Sequence, residues 1–297
     1  MKTNWKIWWR LTRPHTLTAS FIPVFVGAAL ALQDVSLNYP LLIAMMAASM
    51  LIQIATNIFN EYYDYRRGLD TKESVGIGGA IVREGVSPQT VLFLALLLYF
   101  VSALLGAYIC IQTTWWIAVI GVVSMAVGYL YTGGPYPIAY TPFGEFFAGL
   151  FMGVVIILIS FYIHTGYITL QSFLISIPIA ILIGAILMAN NIRDLDQDKE
   201  KGRKTLAILV GKEMAIKVLA GMFIFSYLWI IFLVIVDYSP LLSLLAFISI
   251  PKAYQAVIKF KGKKLPIEMM PAMKLTADTN THFGFFFGLG IFLSSLV

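Results

Sequence analysis

Apolar stretches long enough to cross a bilayer recur along this chain of 297 residues, and they restrict its fold more than any other feature. About 20 apolar residues cross the hydrocarbon layer as a helix. The pattern predicts nine such helices, over residues 16–34, 40–60, 88–111, 114–132, 142–164, 170–191, 213–236, 239–258 and 277–296. The third and fourth meet at Gln112-Thr113-Thr114 and the seventh and eighth at Asp237 to Pro240, which leaves room only for tight turns. A chain with 59% hydrophobic and 12% charged residues is an all-α polytopic membrane protein, with the bilayer as its first partner. Its single cysteine, Cys110, excludes a disulfide scaffold and a cysteine-ligated zinc cluster.

Charge placement then sets the topology. Lys2, Lys6, Arg10 and Arg13 precede the first span, and Arg66, Arg67, Lys72 and Arg83 lie between the second and third. Seven basic residues lie in 193–217 and six from Lys252 to Lys274, which accounts for all 21. All fall on one side if loops alternate, and of the 15 acids only Asp34 and Asp237 fall on the other. By the positive-inside rule, the N-terminus is cytoplasmic and the C-terminus lies on the opposite face. The net charge of +6 is explained by this topology, which leaves no case for nucleic-acid binding. No cleavable signal peptide is evident, because Lys2 to Arg13 lead directly into a long span.

Two groups of cytoplasmic acids are ordered. The second span ends in Asn57-Ile58-Phe59-Asn60-Glu61-Tyr62-Tyr63-Asp64-Tyr65-Arg66-Arg67-Gly68-Leu69-Asp70. Asn57, Asn60 and Asp64, three and four residues apart, share a helical face, and Gly68 allows a turn that returns Asp70 toward them. The sixth span ends with Asn190, Asp194 and Asp198 spaced by four, a second stripe. The two clusters begin 130 residues apart, each followed by glycine and a short apolar run, as in a weak internal repeat. Glu61, Asp196, Lys199 and Glu200 are read as solvated helix-end charges. The basic stretch Lys259 to Met273, with Pro266 and Pro271, is read as a surface loop.

Converging carboxylates repel unless a cation neutralises them, and oxygen-only donors favour magnesium over zinc. Magnesium held by a few carboxylates keeps positions for phosphate oxygens. Basic residues follow both clusters: Arg66, Arg67, Lys72 and Arg83 after the first, Lys199, Lys201, Arg203 and Lys204 after the second. Metal-assisted departure of a lipid-borne diphosphate is the chemistry this implies. A cation-coupled secondary transporter is the alternative from another class, but it would place its acids near the bilayer midplane rather than at inner helix ends.

On these residues the chain resembles the UbiA superfamily of intramembrane aromatic prenyltransferases. The superfamily's two aspartate-rich motifs resemble Asn60-x-x-x-Asp64-x-x-x-x-x-Asp70 and Asn190-x-x-x-Asp194-x-x-x-Asp198. Leu11 to Leu17, Tyr131 to Pro137, and Asn190 to Thr205 narrow the resemblance to the branch acting on 1,4-dihydroxy-2-naphthoate in menaquinone synthesis. One departure is Pro135, at a position where many members carry a lysine four residues after a tyrosine.

The resemblance implies a single domain over residues 1–297, with nine helices around a central cavity open to the cytoplasmic face of the cell membrane. It implies magnesium held by Asn60, Asp64, Asp70, Asn190, Asp194 and Asp198. The substrates implied are a polyprenyl diphosphate and an aromatic acceptor, with diphosphate and carbon dioxide released. Arg83, Lys201 and Arg203 would contact phosphate, and Tyr131 would shelter the allylic cation. Asn57, Asn191 and Arg193 would line the same site, and Lys274 would stand on the acceptor side. The same mechanism on 4-hydroxybenzoate, a chlorin or a glycerol lipid is the alternative within the family. No obligate protein partner is implied.

Overall fold

The computed structural model describes residues 5–70 and 79–296, with His15 described by its backbone alone. Lys2 and Lys72, two of the topology-setting cations, lie outside the described residues. All regular structure among the described residues is helical. In chain order the elements are α1 (Trp5–Leu11), a 3-10 turn (Pro14–Thr16), α2 (Thr18–Ala31), α3 (Tyr39–Arg66), α4 (Pro88–Gln112) and α5 (Trp116–Thr132). There follow α6 (Gly144–Ala148), a π-helical segment (Gly149–Val155), α7 (Ile156–Thr165), α8 (Leu170–Glu200), α9 (Leu206–Val210) and α10 (Lys212–Ile235). A 3-10 segment (Leu241–Ser249), α11 (Ile250–Phe260) and α12 (Pro266–Ser294) complete the chain.

Six of the described helical runs are long and apolar enough to span a membrane: α3, α4, Gly144–Thr165, α8, α10 and Leu241–Phe260. Two further apolar helices, α2 and α5, are shorter and coincide with the first and fourth expected spans. α12 covers the ninth expected position, with Lys274, Asp278, Asn280 and His282 making its middle polar. The chain is therefore a multi-pass membrane protein. Its lipid-type surface is plain on α4 and α5, where Phe93, Phe100, Ile111 and Val122 are exposed, and Trp115 and Trp116 mark the turn between them.

The chain divides into two compact units, Met1–Leu17 with Ile43–Ala139 and Thr18–Leu42 with Tyr140–Val297. In the first, Ile58 and Phe59 of α3 pack on Val91 and Ala95 of α4. Tyr99 and Tyr129 meet the Phe59 ring edge-on at 5.0 and 5.3 Å. The second unit has the larger core, built on Ile22, Phe161, Ile179, Phe260, Phe283 and Phe287.

Within the second unit α8 is the central beam. Thr169 Oγ1 accepts the Ser172 N–H at 3.0 Å and Ser172 Oγ accepts the Thr169 N–H at 3.1 Å, which closes its first turn. Pro178 removes the donor that would bond the Leu174 carbonyl, and the Trp229 indole N–H supplies it instead at 2.9 Å. Gly149 and Gly153, one turn apart in the π segment, press on Ala180 of α8. A methyl at Gly149 would meet the Ala180 oxygen at 2.6 Å, and one at Gly153 the Ala180 Cβ at 2.7 Å. Gly153→Val therefore forces the two elements apart. We expect it to cost about 1–3 kcal/mol, read as a lowered melting temperature in detergent.

Two expectations change here. The stretch Lys259 to Met273 is mostly helix: α11 runs to Phe260 and α12 starts at Pro266. Proline is well suited to a first helical position, where no N–H is needed. Glu268 closes that turn by accepting the N–H groups of Leu265 and Lys264 at 3.2 and 3.3 Å, which hold its carboxyl below the usual range. Helices α3 and α8 also run on past residues 60 and 191, so both acidic stripes are helical to their ends.

Candidate active site

The first acidic stripe closes in a left-handed turn. Gly68 takes φ 68°, its N–H donates to the Tyr65 carbonyl at 3.0 Å, and the Leu69 N–H donates to the Asp64 carbonyl at 2.8 Å. The Asp70 N–H also reaches the Asp64 carbonyl, at 3.4 Å, so the chain returns toward Asp64 as Gly68 allows. One turn back, the Asn60 Oδ1 is buried and has no hydrogen-bond partner. Asn57 is differently engaged: its Nδ2 donates to the Thr12 carbonyl at 3.1 Å and to Thr16 Oγ1 at 3.0 Å. It fastens the segment around Arg13 to α3, and Arg13 there takes the left-handed φ of 49°.

Arg67 donates to the carbonyls of Thr132 and, at 2.8 Å, Gly134, while its guanidinium lies over the Tyr63 ring. The Tyr63 hydroxyl in turn meets the Tyr129 hydroxyl at 2.6 Å. The end of α5, with half-buried Tyr131, is thus tied to the end of α3. Arg66 donates to the Tyr62 hydroxyl at 3.0 Å.

Glu61 overturns its reading as a solvated charge, for it is 1% exposed. Its carboxylate accepts the Gly79 N–H at 2.7 and 2.9 Å and the Ile81 N–H at 3.2 Å. The exposed Arg83 folds its guanidinium over Gly79, whose φ of 105° a side chain would strain. A second tie comes from the Arg10–Glu84 ion pair. Glu61→Ala leaves the two backbone N–H groups without an acceptor, at about 1–3 kcal/mol each. We expect a several-fold higher KM for the diphosphate donor with a smaller change in kcat.

The second stripe ends in the same turn. Gly202 takes φ 79°, its N–H donates to the Lys199 carbonyl at 3.1 Å, and the Arg203 N–H donates to the Asp198 carbonyl at 3.0 Å. Asp64 and Asp198 thus occupy one position relative to the closing glycine. Counting back from it pairs Asn60 with Asp194 and Asn57 with Asn191. The structural repeat is offset by 134 residues, the separation of Gly68 from Gly202, not by the 130 that matching the Asn-x-x-x-Asp strings suggests.

Each carboxylate of this stripe faces an arginine. Arg193 chelates Asp194 through Nε, at 2.6 Å, and Nη2, and reaches Met270 Sδ at 3.5 Å. Arg203 donates to Asp198 Oδ2 at 3.2 Å and stacks on Tyr140 at 5.0 Å, while the Lys204 N–H bonds the Tyr140 carbonyl at 2.9 Å. Asn191 donates to the buried Glu145 at 2.8 Å. Asn190 and Lys201 are half-buried, and Lys274 is exposed on α12. Glu145 and Tyr140 were not singled out by sequence, and Glu61 was read there as a solvated charge.

Within neither unit do three acidic, histidine or cysteine side chains converge as a metal cluster, among the described residues. The donors nevertheless suit magnesium: carboxylate and amide oxygens only, one of them the buried, unpartnered Asn60 Oδ1.

Comparison with known proteins settles the family. The model of the UbiA prenyltransferase family matches residues 20–274. The chain belongs to the UbiA prenyltransferase family. It is 56% identical, over 97% of its length and 93% of the relative's, to 1,4-dihydroxy-2-naphthoate octaprenyltransferase of Bacillus subtilis. It is 28% identical to human UbiA prenyltransferase domain-containing protein 1, over 95% of this chain and 82% of that protein. A UbiA homolog from Archaeoglobus fulgidus bound to DMAPP and Mg2+ shares the fold, with a TM-score of 0.65 at 15% identity over 97% of this chain and 99% of that one. A UbiA homolog from Aeropyrum pernix gives a TM-score of 0.64 at 15% identity, over 93% and 97%. In this UbiA chain Pro135 follows directly on Gly134, whose carbonyl Arg67 holds.

Proposed function

We propose that this protein transfers a polyprenyl group from polyprenyl diphosphate to 1,4-dihydroxy-2-naphthoate, releasing diphosphate and carbon dioxide and giving demethylmenaquinol. The observation that carries the reading is the repeated helix end, an Asn/Asp-x-x-x-Asp-x-x-x-Gly stretch closed by one type of turn in each unit. The relative named as a 1,4-dihydroxy-2-naphthoate octaprenyltransferase supports the choice of acceptor, and the Mg2+-bound homolog supports the choice of metal.

In this reading Asn60, Asp64, Asp70, Asn190, Asp194 and Asp198 would hold magnesium, and both helix ends act on one diphosphate. The metal supplies Lewis-acid neutralisation of the charge growing on the leaving diphosphate. Arg83, Lys201 and Arg203 bind the remaining phosphate charge. Arg193 and Arg203, already against Asp194 and Asp198, keep those carboxylates oriented. Tyr131 offers a ring face to the allylic cation, a contact of about 0.5–2 kcal/mol. Asn57, Asn191 and Arg193 position the stripes, and Lys274 serves the acceptor side. Aromatic ring carbons, electron-rich beside hydroxyls, attack the allylic carbon. The polyprenyl tail stays in apolar surroundings, which is why this diphosphate chemistry belongs in a membrane. The site faces the cytoplasm with the N-terminus, and the C-terminus lies opposite.

The test is purified protein incubated with magnesium, a long prenyl diphosphate and dihydroxynaphthoate. Release of diphosphate and carbon dioxide with a prenylated naphthoquinol is expected. Equal or faster turnover on 4-hydroxybenzoate would move the acceptor assignment to another branch.

A further inference from the structure

Glu145 lies outside both motifs, yet the residue is only 7% exposed at the start of a span of a membrane protein. Oε1 accepts the Asn191 amide at 2.8 Å, and Oε2 is buried with no hydrogen-bond partner. Such an oxygen is costly away from water, and a buried ionisable group on a membrane helix faces a cavity or a substrate rather than lipid.

Three observations place it beside the chemistry. First, Asn191, Asp194 and Asp198 are three and four residues apart and share a face of α8, so Asn191 stands about 4.5 Å along the axis from Asp194. Second, α6 is held hard against α8: a methyl at Gly184 would meet the Glu145 carbonyl oxygen at 3.1 Å, and Gly149 packs on Ala180. The π segment that follows α6 is a rare geometry, frequent at functional sites. Third, the corresponding amide of the first unit, Asn57, donates to Thr12 and Thr16 and not to a carboxylate. The carboxylate is therefore particular to the second stripe, where a matching fold does not require it.

We propose that Glu145 Oε2 is the proton acceptor for the aromatic substrate's hydroxyl, with Asn191 fixing the other oxygen. The inference rests on the prenyl-transfer reading and adds a catalytic residue to that site. The ring carbon beside the hydroxyl forms its bond to C1 of the prenyl group. The C1–oxygen bond breaks, and diphosphate leaves with that electron pair. The hydroxyl proton passes to Glu145, and the O–H pair becomes the ring carbonyl. The carboxylate on that ring carbon then leaves as carbon dioxide, its bonding pair restores the aromatic ring, and the carbonyl oxygen takes the proton back from Glu145.

The decisive variant is Glu145→Gln, which keeps the shape and the bond to Asn191. Prenylation kcat should fall about 100- to 10,000-fold. Magnesium-dependent binding of a non-cleavable prenyl thiodiphosphate should stay within twofold of the parent. The deficit should shrink with acceptors whose hydroxyl is made more acidic by an electron-withdrawing substituent, because these need less help to lose the proton. Unchanged turnover, a parallel loss of donor binding, or a deficit independent of acceptor acidity would each overturn the assignment. If the glutamine variant does not fold, the acidity dependence is read on Glu145→Asp, where the same trend is expected. A parent protein that prenylates no aromatic acceptor would instead sink the functional reading beneath it.

Discussion

Replacing Asp64 by alanine is expected to lower prenyl transfer at least about a hundredfold while the protein keeps its helical content. Removing even one preorganised electrostatic contact to a developing charge costs about 100- to 1,000-fold, and a metal ligand should cost no less. The turn at Gly68 should survive because it uses the Asp64 main-chain carbonyl, which alanine retains. The Asp194 carboxylate is chelated by Arg193, whose side chain is 10% exposed, so Asp194→Ala leaves a nearly buried guanidinium without its counter-charge. Asp194→Asn is the cleaner probe, because it keeps an acceptor for Arg193 and removes the charge the metal needs. It should match Asp64→Ala in activity, whereas Asp194→Ala should lose stability as well. Radiolabelled donor assays alongside detergent melting curves separate the two effects, and full activity in both Asp64→Ala and Asp194→Asn contradicts the site.

Stripping divalent cations with a chelator should take turnover below about 1% of the parent, and magnesium should restore it. Zinc should not, since the donors are hard carboxylate and amide oxygens. The chelated protein should nevertheless stay folded. Asp194 and Asp198 are each neutralised by an arginine, so their helix end does not depend on a metal for its charge balance. Donor and magnesium together should stabilise the protein by about 2.7 kcal/mol at a hundredfold excess over Kd, and neither alone should do so. Thermal-shift curves with each component omitted in turn check this, and turnover that survives exhaustive chelation contradicts it.

The parts of this molecule legible in the sequence are those set by local periodicity. Hydropathy placed the long helices, and three- and four-residue spacing placed Asn57, Asn60 and Asp64 on one face. Gly68 marked the turn that returns Asp70. What stayed hidden depends on partners far along the chain. Glu61 resembles any helix-end acid until the Gly79 and Ile81 amides, 18 and 20 residues on, close over it. Glu145 meets its partner 46 residues away. The start of α12 was masked by prolines and lysines that usually signal a loop, though Pro266 sits where a helix tolerates it best. The repeat was misaligned by one turn because the Asn-x-x-x-Asp strings are more conspicuous than the closing glycines, which set the backbone register.

In the proposed reading the acidic ends of α3 and α8 would serve a single diphosphate. Calorimetric titration of a non-cleavable prenyl thiodiphosphate into detergent-solubilised protein with magnesium tests it most directly. One binding event per chain is predicted, weakened at least a hundredfold by either Asp64→Ala or Asp194→Asn and no further by the two combined. Two independent binding events, or a variant at one helix end that binds as tightly as the parent, would show that the two stripes do not act on the same ligand.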